Sequence, residues 1–241
     1  HHVVTYGEKG GSDVCGSSVD ILYNPADEPG GVVFRADIGG TSLPVTIEGV
    51  FGKNHVYAAL AALALCYGLK FNIITAINSL KKYDVPAGRM RLLKGVRNSM
   101  IIDDTYNSSP TASRSALLTL GEVKNKENKG RKVAVLGDML QLGKHTEEAH
   151  KNIGALAAEI LGGEGVLATV GLRAKAIASG ALEAGMKEKK IYEFLDSFEA
   201  GEFLETFVGE NDLILVKGSQ DMRMERAVEK ILLDKENKDS L

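Results

Sequence analysis

Three apolar runs beyond Met100 end in polar residues of the kinds that hold nucleotides and anions. The first, Ile101-Ile102-Asp103-Asp104-Thr105-Tyr106-Asn107-Ser108-Ser109-Pro110, carries two carboxylates out of an apolar run and into a Ser/Thr/Asn-rich turn. Carboxylates at such a strand exit accept hydrogen bonds from ribose hydroxyls, and the N–H groups that open the following helix hold an anion. The same residues also serve to cap and solubilise a strand exit, and the pattern alone leaves both readings open. The second run, Val135-Leu136-Gly137-Asp138-Met139-Leu140-Gln141-Leu142-Gly143, is explained by a tight Gly turn with Asp as a cap. The third, Leu215-Val216-Lys217-Gly218-Ser219, delivers a lysine at a strand end, where it either meets an anionic substrate as a point charge or stands in solvent.

Other reactive side chains are less directive. Arg89, in Gly88-Arg89-Met90, follows a backbone break and can meet a phosphate or pair with a surface carboxylate. His145 and His150 have no partners at metal-ligand spacing, so structural roles are expected, and Tyr57 and Tyr67 read as packing residues of an Ala-rich helix. Neither G-x-x-x-x-G-K-[ST] nor G-x-G-x-x-G occurs, which removes a Walker phosphate loop and a dinucleotide fingerprint from this chain. C-x-x-C, H-E-x-x-H and G-x-S-x-G are absent too. Cys15 and Cys66 lack ligand spacing, and Cys66 in its apolar run reads as a packed thiol in a reducing compartment.

The elements that must position these residues follow from periodicity. Short β-branched runs at Val3 to Tyr6, Ser18 to Tyr23, Val32 to Asp37 and Leu43 to Ile47, separated by Gly and Pro turns, predict a small, mostly antiparallel sheet. His55 to Leu69 is Ala- and Leu-rich on nearly every face and predicts a buried helix, followed by an amphipathic one over Asn72 to Tyr83. Pro86-Ala87-Gly88 breaks the pattern, which puts a domain boundary near Val85 and domains at 1–85 and 86–241. Beyond it, strands starting at Met100, Lys132, Val166, Lys190 and Leu213 alternate with helices starting at Pro110, Glu147, Arg173, Phe198 and Met222. Continuous apolar strands such as Val133 to Leu136 require helices on both faces, so the second domain is expected to be a doubly wound, Rossmann-like α/β sheet. In such a sheet ligands gather beyond the carboxyl ends of the strands, where the three polar exits above fall. Lys124 to Lys132 reads as a polar surface loop and Asp234 to Leu241 as a charged, frayed tail.

The 241 residues allow one large domain or two ordinary ones. A net charge of -3 with both signs interspersed gives no broad basic field, so nucleic acid is not an expected partner. The longest apolar stretch, Val56 to Leu69, is short for a bilayer span, and no membrane association is expected.

Taken together and in order, the segments resemble the Mur ligase family. Gly52-Lys53-Asn54-His55-Val56-Tyr57-Ala58-Ala59-Leu60 is similar to its central-domain helix start, Pro86 to Arg89 to its hinge arginine, and Asp103 to Pro110 to its DD[ST]YN segment. Leu136 to Met139 with the later His150, and Leu215 to Ser219, resemble the branch that adds a D-alanyl-D-alanine dipeptide. The resemblance implies the C-terminal part of a central ATPase-type domain over 1–85 and the family's C-terminal α/β domain over 86–241. It implies an enzyme, an ATP-dependent amide-forming ligase of peptidoglycan synthesis, cytoplasmic and monomeric. Its substrates would be a UDP-N-acetylmuramoyl tripeptide and D-Ala-D-Ala, with ATP and Mg2+.

In that chemistry a carboxylate is converted by ATP to an acyl phosphate, an amine attacks, and phosphate leaves from the tetrahedral intermediate. Carried over by motif, Asp104 holds the ATP ribose, Arg89 approaches the phosphates, and Asn54 or His55 lies near the adenine. Tyr106, Asn107, Lys217 and Ser219 border the dipeptide and acyl-phosphate region, with Arg89 and Lys217 acting catalytically and no metal ligand among this chain's residues. The family reads His-Asn and then Asn at the adenine, whereas this chain reads Asn54-His55 and Ala58. The P-loop and magnesium carboxylates of the family are expected in a segment preceding His1, so this chain alone is expected to be inactive. Two other readings are a noncatalytic nucleotide- or partner-binding module with the same fold, and a sister ligase that adds a single amino acid.

Overall fold

The computed structural model describes residues 3–124 and 129–234. His1, His2, part of the polar loop expected over Lys124 to Lys132, and all but the first residue of the expected charged tail lie outside the described residues. The chain divides into two compact units, 1–85 and 86–241. No described helix is long and apolar enough to cross a membrane.

The first unit is a four-stranded sheet in the order β1 (Tyr6–Gly7), β2 (Val14–Tyr23), β3 (Pro29–Ile38), β4 (Thr41–Glu48), with two helices, α1 (Lys53–Gly68) and α2 (Ile73–Leu80). β2, β3 and β4 pair antiparallel and β1 joins β2 in parallel. Alternation along β3 and β4 buries Phe34, Ala36, Val45 and Ile47, and α1 lays Val56, Leu60 and Leu63 on that layer. α1 is longer at its start than its Ala/Leu run suggests, and it is buried on one face only: Ala58, Ala62 and Leu65 are exposed. Tyr57 does not pack in the core either; it is exposed, and its hydroxyl donates to Glu8 at 3.2 Å. Tyr67 is half-buried and lies against Gly39.

The second unit is a six-stranded sheet in the order β5 (Arg91–Lys94), β6 (Met100–Asp104), β10 (Leu213–Lys217), β7 (Lys132–Gly137), β8 (Val166–Val170), β9 (Ile191–Phe194). All neighbours are parallel except β5, which pairs antiparallel with β6. Helices α3 (Pro110–Glu122), α4 (Thr146–Leu161) and α5 (Lys175–Glu183) connect β6 to β7, β8 and β9 in turn and pack in a row. Helix α6 (Ser197–Phe207) returns the chain to the middle of the sheet and pairs with α7 (Glu225–Ile231). Parallel crossovers are right-handed, so steps in opposite directions put their helices on opposite faces. One face therefore carries α3, α4 and α5 and the other α6 and α7, as expected for a doubly wound sheet. The α6/α7 side packs on Ile101, Val133, Val135, Ala168, Ile214 and Val216.

β10 is thus the last strand in sequence and sits between the first two parallel ones. Its exit leads to α7, whereas its neighbours β6 and β7 exit toward α3 and α4. Strand exits that diverge to opposite faces open crevices on either side of β10 at the carboxyl edge, which is where ligands bind in open α/β sheets.

Candidate functional site

The crevice between β6 and β10 brings together Arg89, Asp103, Asp104, Tyr106, Asn107 and Lys217, all singled out by type and spacing. Lys217 faces Asp104 in the strand register. Its ammonium donates to Asp104 Oδ2 at 2.6 Å and to the Asn107 carbonyl at 2.8 Å. With 2% of its side chain exposed, Lys217 is not a solvated surface lysine, and two of the ammonium's three donors are engaged. The pair is desolvated, and such an arrangement is sustained only when hydrogen bonds complete both ions.

The acids also hold the chain segment that enters the unit. The Gly88 N–H donates to Asp103 Oδ2 at 3.0 Å and the Met90 N–H to Asp104 Oδ1 at 3.2 Å. Asp103 Oδ1 accepts from Thr105, at 2.6 Å from the hydroxyl and 3.3 Å from the N–H. Burial pushes the Asp103 carboxyl above the ordinary carboxylate range, against the bonds from Thr105 and Gly88 that pull it down; the neighbouring Asp104 charge adds to the upward push. Gly88 has φ of 65°, and a Cβ there would fall 2.6 Å from the Tyr106 nitrogen, so only glycine fits where the Tyr106 N–H donates to its carbonyl. Arg89 stands exposed between buried Gly88 and Met90, its guanidinium 4.0 Å from the centre of the Tyr106 ring. Tyr106 and Asn107 are exposed at the rim.

The other crevice, between β10 and β7, is a knot of loop anchors. The buried Asp138 does not cap its own turn; it accepts from the Ala174 N–H at 2.7 Å and from Arg173 at 3.3 Å, tying the β8 exit to the β7 exit. Its carbonyl accepts the Ser219 N–H at 3.0 Å, and the Ser219 hydroxyl oxygen accepts the Leu140 N–H at 2.9 Å. His150, fully buried, accepts the Met139 N–H on Nε2 at 3.0 Å, which leaves Nδ1 to donate to the Thr146 carbonyl at 2.6 Å. Those two bonds require the neutral ring.

Burial lowers the His150 pKa below its ordinary 6.5, outweighing the Thr146 carbonyl, which acts in the opposite direction. The unfolded chain then takes up a proton that the folded one refuses, so stability rises with pH across that interval. His150 contributes fully above pH 6.5, and the contribution falls as pH drops from there toward the folded-state value. Urea midpoints measured between pH 7 and pH 5 are expected to decline more steeply for the native sequence than for His150→Gln. Parallel slopes would rule out this role.

Asn54 and His55 belong to the first unit, at the start of α1. Asn54 is exposed; His55 is buried, its ring meeting Tyr83 edge-on at 5.8 Å. Among the described residues no group of three His, Cys, Asp or Glu side chains stands where it could hold a metal ion. All four oxygens of Asp103 and Asp104 face N–H, hydroxyl or ammonium donors, a setting that does not suit a cation. The structural uses of Asp103 and Asp138 were not evident from their positions in sequence. His150 was signalled, because it lies on the stripe of Ile153, Gly154 and Ala157 that α4 buries.

The profile for "Mur ligase, glutamate ligase domain" matches residues 88–220. UDP-N-acetylmuramoyl-tripeptide--D-alanyl-D-alanine ligase of Bacillus subtilis is 31% identical over 187 residues, covering 76% of this chain and 39% of the relative. The Escherichia coli protein of the same name is 30% identical over 179 residues, covering 73% of this chain and 36% of its own length. Among solved structures, MurF from Acinetobacter baumannii superposes with a TM-score of 0.75 at 26% identity, covering 95% of this chain and 46% of that one. MurF ligase from Thermotoga maritima, solved with ADP, has the same fold with a TM-score of 0.73 at 24% identity, covering 94% and 47%. The chain therefore spans about two-fifths of the length of the curated relatives it matches.

Proposed function

The chain belongs to the Mur ligase family, and from that premise we propose that it forms part of an ATP-dependent ligase that joins D-Ala-D-Ala to a UDP-N-acetylmuramoyl tripeptide in peptidoglycan synthesis. The observation that carries this reading is the convergence of Asp104, Asn107 and Lys217 at the β6/β10 crevice, with Arg89 stacked on Tyr106 beside it. The curated relatives bear the name of that ligase. Residues 1–85 then correspond to the end of a central ATPase-type domain and the second unit to the C-terminal domain.

In this reading the tripeptide carboxylate takes the terminal phosphoryl group of ATP, and the dipeptide amine displaces phosphate to leave the amide and a proton. Arg89, exposed and lying over the Tyr106 ring, neutralises charge on the phosphates. Asp104 has lone pairs beyond the two already used and accepts a ribose hydroxyl. Asn54, as the exposed member of its pair, meets the adenine. Lys217 holds the crevice in shape and keeps one donor for the acyl phosphate or dipeptide carboxylate, with Tyr106 and Asn107 lining the approach and Ser219 acting from the neighbouring crevice, where it anchors Leu140. Magnesium is assigned to none of these residues, since the acids present are already engaged. The complete protein works as a cytoplasmic monomer, and the residues described here need the remainder of it for turnover.

The test is a phosphate-release and product-mass assay of the complete protein with ATP, the tripeptide and either D-Ala-D-Ala or single amino acids. Amide product with the dipeptide at least about 100-fold above any single amino acid is expected, a discrimination well within what a site built to hydrogen-bond its ligand achieves. The 241-residue chain alone is expected to release no phosphate above background. Equal use of a single amino acid would assign a sister ligase instead, and nucleotide binding with no turnover in the complete protein would make it a binding module.

A further inference from the structure

Two neighbouring carboxylates on β6 grip alternate backbone amides of the entering segment. Asp103 takes the Gly88 N–H and Asp104 takes the Met90 N–H, and the residue between them is Arg89. We propose that Asp103 is a positioning residue for Arg89, fixing the direction in which the guanidinium leaves the chain. This rests on the ligase reading above and adds a role to a residue which that reading leaves unused.

The geometry carries it in three steps. Gly88 and Met90 are buried while Arg89 is exposed, so the arginine is the outward member of a clamped triplet. Both flanking residues adopt left-handed backbone, with φ of 65° at Gly88 and 52° at Met90. At Met90 that conformation is disfavoured, so bonds from outside the segment have to maintain it. β5 pairs with β6 from Arg91 onward, so the side-chain carboxylates take over where the ladder of backbone bonds stops. Finally, Asp103 reaches both sides of the stacking partner: Oδ2 holds Gly88, whose carbonyl accepts the Tyr106 N–H, while Oδ1 holds Thr105, the residue before Tyr106. One carboxylate thereby sets the separation between Arg89 and the ring it lies on. Asp103 is fully buried, and its carboxylate accepts all three of these bonds at once.

The test combines amide exchange with a double-mutant cycle. In Asp103→Ala, and less in Asp103→Asn, exchange across 86–90 and 104–107 is expected to accelerate at least tenfold while β7 and β8 keep their protection. In the complete ligase, Asp103→Ala is expected to lower kcat about tenfold with the KM for the dipeptide held within about threefold. The double variant with Arg89→Ala should be no slower than Arg89→Ala alone, because Asp103 acts through that arginine. If Asp103→Ala does not fold, Asp103→Asn serves in the same cycle. Multiplying rather than overlapping losses, or unchanged exchange over 86–90, overturns the proposal. A complete protein that makes no amide bond overturns the ligase reading instead, and the exchange measurement still decides on Asp103.

Discussion

Lys217→Met is expected to lower the folding stability of the second unit by about 3–5 kcal/mol, the usual result of removing one partner from a desolvated ion pair. The Lys217 and Asp104 side chains are 2% and 12% exposed, and the methionine has nothing to offer the carboxylate or the Asn107 carbonyl that the ammonium now satisfies. Most of the loss is the stranded Asp104 charge rather than the attraction between the two ions. A second substitution, Asp104→Leu, should therefore restore part of the stability, though not all, since the Met90 N–H then loses its acceptor. Urea denaturation of the single and double variants measures this directly. A loss below about 1 kcal/mol for Lys217→Met, the range of exposed pairs, would mean that the crevice admits water and the pair is no anchor.

Gly154→Ala should be nearly as damaging, although alanine is the better helix former by about 1 kcal/mol. A Cβ at Gly154 would fall 1.9 Å from the Ile177 carbonyl oxygen, and one at Gly180 would fall 2.1 Å from the Lys151 carbonyl oxygen. The obstacle in each case is main chain of the facing helix, so no rotamer change relieves it; α4 and α5 must move apart. Overpacking of this kind costs about 3 kcal/mol, which for a unit of this size corresponds to a drop in Tm of roughly 6–12 °C. Gly163→Ala, where no atom lies within 4 Å of the added carbon, is the control and should leave the melting curve in place. An unchanged Tm for Gly154→Ala would show that α4 and α5 are not in contact as described.

What could be read from the sequence, and what could not, divides by distance along the chain. Val133 to Leu136 and Leu213 to Val216 announce themselves as doubly covered strands because burial on both faces leaves no polar position. β5 was missed for the opposite reason: Arg91-Leu92-Leu93-Lys94 is a four-residue edge strand, only half-buried, and too short to establish a period. The environment of Lys217 was beyond local reading, since its carboxylate partner lies 113 positions away and a lysine after an apolar run looks the same whether it enters water or a salt bridge. The strand order is likewise invisible to periodicity, which identifies strands without saying which ones are adjacent. Within the candidate site, the places of Asp104 and Lys217 at strand ends were legible from the apolar runs that precede them. The backbone clamp at Asp103 was not, because its partners are main-chain amides common to nearly all residues.

The central seat of β10 has a consequence for how the molecule is made. Strands β6 and β7 emerge from the ribosome before β10 yet have no lateral bonds to each other; each waits for a strand that comes later in the sequence than either. Until then the nascent sheet is split, with two unsatisfied edges held apart by α3, and the lysine that completes the crevice arrives last. A chain halted before Leu213 would thus carry most of the helices while displaying raw β-edges to its neighbours, the condition under which folding intermediates aggregate or recruit chaperones.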